Sequence, residues 1–154
     1  MDDKQAFDTE KIRQMEVICR ARGLSLTHQR RALLGALIQR KDHPTADQLF
    51  DDLQENLSGL SRTTVYRILE TFVRIGLVVK ISSQQAKARF DADTSRHHHI
   101  CCVQCGQVSD LIDSDFDLPE LPERCPSGFQ LYDYAITFTG LCPRCQREGN
   151  LLKQ

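Results

Sequence analysis

The stretch SRTTVYRILETFVRIGLVVKISSQQAKARFD, residues 61–91, decides the fold of the first half of the chain. Ser61 is an N-capping residue type and Gly76 a helix terminator. Between them Val65, Ile68, Leu69, Phe72 and Val73 recur at three and four, the stripe of an amphipathic helix. The opposite face carries Thr63, Tyr66, Arg67, Glu70 and Arg74. A tyrosine beside an arginine, with small threonines one turn earlier, supplies a phosphate anchor, a bidentate guanine reader and an apolar contact for a thymine methyl. A plain charged face with one stray aromatic would use the same residues. After Gly76 the run LVVKIS, the polar turn SQQAK and the segment ARFD spell a β-hairpin whose tip carries Lys87 and Arg89. Helices followed by a two-stranded ribbon with a basic tip make a winged helix-turn-helix. Its last helix enters the major groove and its wing meets the backbone.

Towards the N-terminus, Ile12, Met15, Ile18 and Cys19 mark a first helix over Glu10 to Arg22, ended by Gly23. Thr27 caps a second helix that buries Leu33, Leu34, Leu37 and Ile38. It stops before His43-Pro44, since a residue ahead of proline avoids helical angles. Thr45 caps a third helix with Ala46, Leu49, Phe50 and Leu53 inward.

Towards the C-terminus, two Cys-x-x-Cys pairs, Cys102 with Cys105 and Cys142 with Cys145, flank 36 residues. Two tight turns, each offering two sulfurs, suit a tetrahedral cation. Doubling a loop costs only about 0.6 kcal/mol, so the long insert does not count against the pairing. Gly106 permits the turn of the first knuckle and Pro143 stiffens the second. Two structural disulfides would fit a secreted domain, a redox dithiol would need one pair, and an iron–sulfur cluster draws on less symmetric spacings. The opening Met-Asp-Asp-Lys-Gln has no apolar signal run, so a reducing cytoplasm is expected and a closed, structural Zn2+ site with it. Cys19, Cys101 and Cys125 are left over as small buried hydrophobes.

The segment HHHICCVQCGQVSDLI, residues 97–112, reads as a hairpin through the first cysteine knuckle. The acidic, proline-rich link Leu118 to Pro126 is expected to hold a short helix. GFQLYDYAITFTG, residues 128–140, reads as one or two strands alternating at Tyr134, Ile136 and Phe138.

Charge divides the chain. Residues 1–90 carry 15 Lys and Arg against 11 Asp and Glu, while residues 91–154 carry 5 against 10, although the net charge is only −1. A basic half can meet phosphates and an acidic half attracts cations. In a chain of 154 residues with 40% hydrophobic content this gives an α+β protein: a winged helix-turn-helix domain over 1–90, a hinge over 91–96, and a small α/β domain with the zinc site over 97–154. No apolar run approaches a membrane span.

A second metal site is written into the same region. His97 and His99 lie two apart on an expected strand, so both imidazoles share a face and His98 takes the other. Asp91 at the exit of the wing and Asp110 on the return strand are candidate carboxylates. His43 sits in an expected exposed turn before the third helix. Imidazoles with two carboxylates form a nitrogen and oxygen shell suited to Fe2+ or Mn2+, although Zn2+, Ni2+ and Cu2+ bind the same atoms tightly and Zn2+ could occupy it in vitro. A solubilising histidine patch uses the same three residues.

The motifs HPTADQLFDDL, SRTTVYRIL, GLV, ARFD, HHHICCVQCG and GLCPRC, in this order over about residues 10 to 148, resemble the ferric uptake regulator (Fur) family of dimeric, metal-sensing transcriptional regulators. The resemblance implies a regulatory metal at His43, Asp91, His97, His99 and Asp110, and structural zinc at Cys102, Cys105, Cys142 and Cys145. It also implies a homodimer on a palindromic double-stranded operator, with DNA contacts at Arg30, Thr63, Thr64, Tyr66, Arg67 and Lys87. Asp91 and Asp110 match the peroxide-responsive (PerR) branch, in which Fe2+ reacts with peroxide and a ligand imidazole is oxidised. Arg67 matches the iron-responsive pattern. The family's usual Thr-Pro-Gln-Arg is here Thr27-His28-Gln29-Arg30, and positions used for a further metal site hold Arg96 and Tyr132-Asp133-Tyr134, so no third site is expected.

The expected function is therefore a metal-dependent repressor, not an enzyme, that senses peroxide through Fe2+ or Mn2+. The alternative is an iron- or zinc-responsive uptake regulator, and more remotely a metal-dependent hydrolase or thiol oxidoreductase. Hydrolases need an open coordination position beside a substrate pocket. This chain spends its first half on a basic winged helix instead.

Overall fold

A computed structural model describes residues 3–83, 86–112, 128–132 and 134–149, without the side chains of residues 3–8, 83 and 86. The chain forms two compact units, Met1–Thr94 and Ser95–Gln154.

The first unit is four helices and a hairpin: α1 (Asp3–Ala21), α2 (His28–Gln39), α3 (Ala46–Leu53), α4 (Arg62–Arg74), β1 (Val79–Ser83) and β2 (Ala86–Asp91). α1 starts earlier than its apolar pattern suggests. Met15 and Cys19 are buried as expected, but Ile18 is 40% exposed. On the helical wheel Ile12, Met15 and Cys19 fall within about 60° of one another, whereas Ile18 lies about 120° from Ile12 and slips off the stripe.

The three expected caps form. The side chains of Thr27, Thr45 and Ser61 accept from the amides of Arg30, Gln48 and Thr64. Thr45 makes a full capping box, because the Gln48 side chain accepts from the Thr45 amide at 2.9 Å. Thr45→Ala should cost about 1 kcal/mol, read as a lower urea midpoint at unchanged slope. An unchanged midpoint would mean that packing alone holds α3.

The α4 stripe is the keel of the core. Val65, Ile68, Leu69 and Phe72 are buried with Leu33, Leu34, Leu37 and Ile38 of α2, Leu49 of α3 and Phe90 of β2. Val73 is half-buried against them. Gly76 ends the helix at φ 73, a left-handed angle where a side chain would be strained.

The hairpin is antiparallel, pairing Val79 with Asp91 and Ile81 with Arg89. Its second strand is bound to the loop before α3. The Phe90 amide donates to the Pro44 carbonyl at 3.0 Å, and an isolated bridge joins Thr45 to Arg89.

Among its described residues the second unit holds a three-stranded sheet in the order β4-β3-β5 and a short helix: β3 (His98–Cys102), β4 (Val108–Leu111), β5 (Thr137–Gly140) and α5 (Pro143–Arg147). β3 and β4 form the expected hairpin, with His99 opposite Asp110. β5 joins the other edge of β3 in parallel, with Phe138 opposite Ile100. Only Thr137–Gly140 of the alternating 128–140 segment is strand among the described residues. A parallel partner must pair at long range, which local alternation does not reveal. The link Leu118 to Pro126, with its expected short helix and Cys125, lies outside the described residues.

Candidate metal centres

β3 runs straight into the first cysteine knuckle. Cys102 ends the strand, the Gly106 amide returns to its carbonyl at 2.9 Å, and Gly106 takes φ 69. Cys142 and Cys145 follow β5, which runs parallel beside β3 with Gly140 opposite Cys102, and they are the N-cap and first turn of α5, with Pro143 at the helix start. The four sulfurs lie within 4.8 Å of one another. Cys105 Sγ and Cys142 Sγ are 3.7 Å apart. A tetrahedron with metal–sulfur bonds of about 2.3 Å has edges of about 3.8 Å, whereas a disulfide requires about 2.05 Å. The described cysteines are all free thiols.

The electrostatics call for a cation. Burial pushes the Cys102 thiol up, yet the amides of Cys142, Cys105 and Gln104 outweigh it and bring it down to about 6. The Cys145 amide lowers Cys142. Burial, then the neighbouring sulfurs, push Cys145 up to about 12. Without a positive ion the four thiols cannot ionise together; with one, all four become ligands.

The nitrogen and oxygen residues fall on both units. In the first, His43 Nε2 lies 3.3 Å from Asp91 Oδ2. His43 is buried, contrary to the exposed turn expected for it. It takes φ 49, the one positive value for a non-glycine among the described residues. The turn is tied to the hairpin through Arg89, whose Nη1 donates to the His43 carbonyl at 2.8 Å and to that of Asp42 at 3.4 Å. Arg89 is therefore not a free basic group at the tip of the wing. Nothing local in the sequence announces that contact, which spans 46 positions.

In the second unit, His97 Nε2 and His99 Nε2 are 2.9 Å apart, and Asp110 Oδ1 lies 3.3 Å from the first and 3.8 Å from the second. Two nitrogens about 2.1 Å from one ion at a right angle are about 3.0 Å apart. His97 sits one residue before β3, and its Nδ1 contacts the Ser95 carbonyl at 2.9 Å. A carbonyl only accepts, so Nδ1 carries a hydrogen and Nε2 is the ring atom that faces Asp110. His98 points elsewhere as expected: the Ile136 amide approaches its Nδ1 at 3.4 Å and its ring lies against Tyr134.

On the helical face, Thr63, Tyr66 and Arg67 are exposed and Thr64 is half-buried. Arg30 is half-buried and joins Thr64, Arg67, Ile68 and Thr71 around a cleft of about 70 Å³. Lys87 is exposed and paired with the Asp47 carboxylate of α3, which also accepts from Arg62 Nη1 at 3.0 Å.

The Ferric uptake regulator family matches residues 21–139 of the chain. The chain belongs to this family. It is 32% identical over 131 residues to the peroxide-responsive repressor PerR of Staphylococcus epidermidis, covering 85% of this chain and 87% of the relative. Among solved structures, the ferric uptake regulator Fur of Helicobacter pylori superposes with a TM-score of 0.68 at 17% identity, over 90% of this chain and 93% of that one. PerR of Streptococcus pyogenes superposes with a TM-score of 0.52 at 24% identity, over 88% and 92%. As a ferric uptake regulator family member the chain is a metal-dependent transcriptional regulator and not an enzyme, and such regulators bind DNA. No helix among its described residues is long and apolar enough to cross a membrane.

Proposed function

We propose that this regulator is a cytoplasmic repressor that binds a palindromic operator as a homodimer and releases it on exposure to peroxide. One Fe2+ or Mn2+ takes ligands from His43 and Asp91 of the first unit and from His97, His99 and Asp110 of the second. The observation that carries this reading is the pre-aimed His97, His99 and Asp110 set, with the His97 tautomer fixed by Ser95. Zn2+ fills the four-cysteine site and has no part in sensing.

Ligands from both units make the metal a clamp across the hinge at residues 91–96. In a two-fold dimer the angle of that hinge sets the spacing of the α4 helices, which must match half-sites about 34 to 36 Å apart. The metal then favours the DNA-binding arrangement by as much as its affinity differs between the two arrangements. On the DNA side, Arg67 reads a guanine, Thr63 and Thr64 offer a surface to a thymine methyl, Tyr66 and Arg30 anchor phosphates, and Lys87 reaches a phosphate by exchanging its Asp47 partner for it.

Fe2+, when bound, supplies the one-electron chemistry that turns peroxide into an oxidant of a nearby imidazole. An oxygenated His43 or His97 loses its lone pair for the metal, and the two halves of the site separate. Asp91 and Asp110 leave a shell of two carboxylates and three imidazoles without thiolate, which suits these ions. The homology to PerR repressors supports peroxide as the signal.

The test is mass spectrometry after brief peroxide treatment. The Fe2+ protein should gain one oxygen, about 16 Da, on a peptide containing His43 or His97, and the Mn2+ protein should not. If both forms stay unmodified, the protein is an iron- or zinc-responsive uptake regulator without peroxide sensing.

A further inference from the structure

Arg89 is the basic residue of the hairpin that does not face outward, and its position gives it a different task. Three consecutive residues of β2 grip the loop that carries His43. The Arg89 guanidinium donates to the carbonyls of His43 and Asp42, the Phe90 amide donates to the carbonyl of Pro44, and the Asp91 carboxylate sits 3.3 Å from His43 Nε2. The loop needs such a grip. His43 holds a left-handed φ of 49, a conformation that persists in a non-glycine residue only where the surroundings over-determine it. Pro44 contributes no amide hydrogen, so the loop must be held largely through its carbonyls. An arginine fits that demand, because one nitrogen, Nη1, turns its two hydrogens to the carbonyls of His43 and Asp42, and the planar guanidinium holds that direction more firmly than the freely rotating ammonium of lysine would.

We propose that Arg89 is the positioning residue that holds His43 in ligand geometry and makes the wing a mechanical part of the regulatory metal site. The inference rests on the proposed regulatory site. It adds a route from metal to wing that stays within the first unit. His43 and Asp91 would both hold the ion, so β2 would be tied to it through Asp91 while Arg89 ties β2 to the loop. Residues behind a ligand typically change metal affinity by about 10 to 100-fold when removed.

Arg40 provides the control. It binds the same loop from its other side, with Nε and Nη2 on the Asp42 carboxylate at 2.8 and 2.6 Å and Nη1 on Asp52 at 2.7 Å, but it makes no contact with the His43 carbonyl among the hydrogen bonds described. Mn2+ titration followed by electron paramagnetic resonance on the zinc-loaded full chain should show Arg89→Gln weakening binding by about 10 to 100-fold. Arg89→Lys should fall between it and wild type, and Arg40→Gln should stay within about threefold of wild type. In hydrogen exchange, added Mn2+ should protect the Phe90 amide in wild type and in Arg40→Gln but not in Arg89→Gln. Equal loss of Mn2+ binding in Arg40→Gln and Arg89→Gln would reduce Arg89 to a general prop of the loop, and an Arg89→Gln protein that binds Mn2+ within twofold of wild type would overturn the proposal outright. A wild-type protein that takes up no Mn2+ beyond its zinc would instead remove the regulatory site itself, and this proposal with it.

Discussion

Cys145→Ala should leave the second unit unable to fold while the first unit keeps its helices. Cys145 is the most deeply buried of the four thiols, at 1% exposure. Among the described residues, the unit it serves has a sheet of three short strands and one helix of five residues. Apparent zinc-binding energies in small cysteine sites reach about 10 to 16 kcal/mol. The whole stability of a domain is about 5 to 15 kcal/mol, so removing the ion exceeds what this sheet can supply. The first unit has its own core around Leu69 and Phe72 and does not share the loss. Chelation should do the same as the substitution. Far-UV circular dichroism should keep its helical signal while amide resonances of residues 98–111 collapse into the random-coil range. Intact resonances after complete zinc removal would make the cysteines incidental to the fold.

Acid should mimic chelation, with a predictable sign. Zn2+ needs thiolates, and Cys102 is held down at about 6 before any metal binds. Cys145, pushed up to about 12, must give up a proton to the ion at any ordinary pH, and Cys102 joins that competition below about 6, so zinc affinity should fall with acid and fall more steeply below pH 6. A zinc affinity, measured against a competing chelator, that stays flat from pH 7 to pH 5 would argue against a thiolate site.

The second large effect is at the other metal set. Asp110→Ala should abolish the metal-dependent part of DNA binding and leave the protein folded with its zinc in place. Asp110 is the oxygen that both His97 and His99 face, at 3.3 and 3.8 Å, and its side chain is 42% exposed. Its loss therefore removes the proposed ligand without opening a core. Residues that merely support a ligand change metal affinity by about 10 to 100-fold, so a ligand itself should cost at least about 100-fold. His97→Ala should match it. Both should show the wild-type circular dichroism spectrum and one zinc per chain. An unfolded product would make the cluster structural, and wild-type Mn2+ affinity would remove Asp110 from the set.

Local features were legible because local rules govern them. The α4 stripe follows the helical period, and Thr27, Thr45 and Ser61 cap because short polar side chains reach the free amides of a helix start. The cysteine knuckles follow from ligand spacing, and the shared aim of His97 and His99 from a spacing of two. What escaped was long-range. The turn at His43 is tied to Arg89, 46 positions away, and the place of β5 rests on a parallel pairing with β3. The Ser95 carbonyl that fixes the His97 tautomer is a backbone group, which no residue type advertises. Lys87 reads as a free wing cation in the sequence, yet Asp47 holds it in the fold. Ile18 shows the limit of counting at three and four: one position off the stripe is enough to expose it.

Metal-gated DNA binding is the centre of the account. The most direct measurement is fluorescence anisotropy of a labelled duplex, selected from a random pool by the Mn2+-loaded protein, titrated with zinc-loaded protein in the presence and absence of Mn2+. Binding should be roughly 100-fold tighter with Mn2+, an effect missing from Asp110→Ala. Equal affinity with and without the ion, or a pool from which no duplex is enriched, would contradict it.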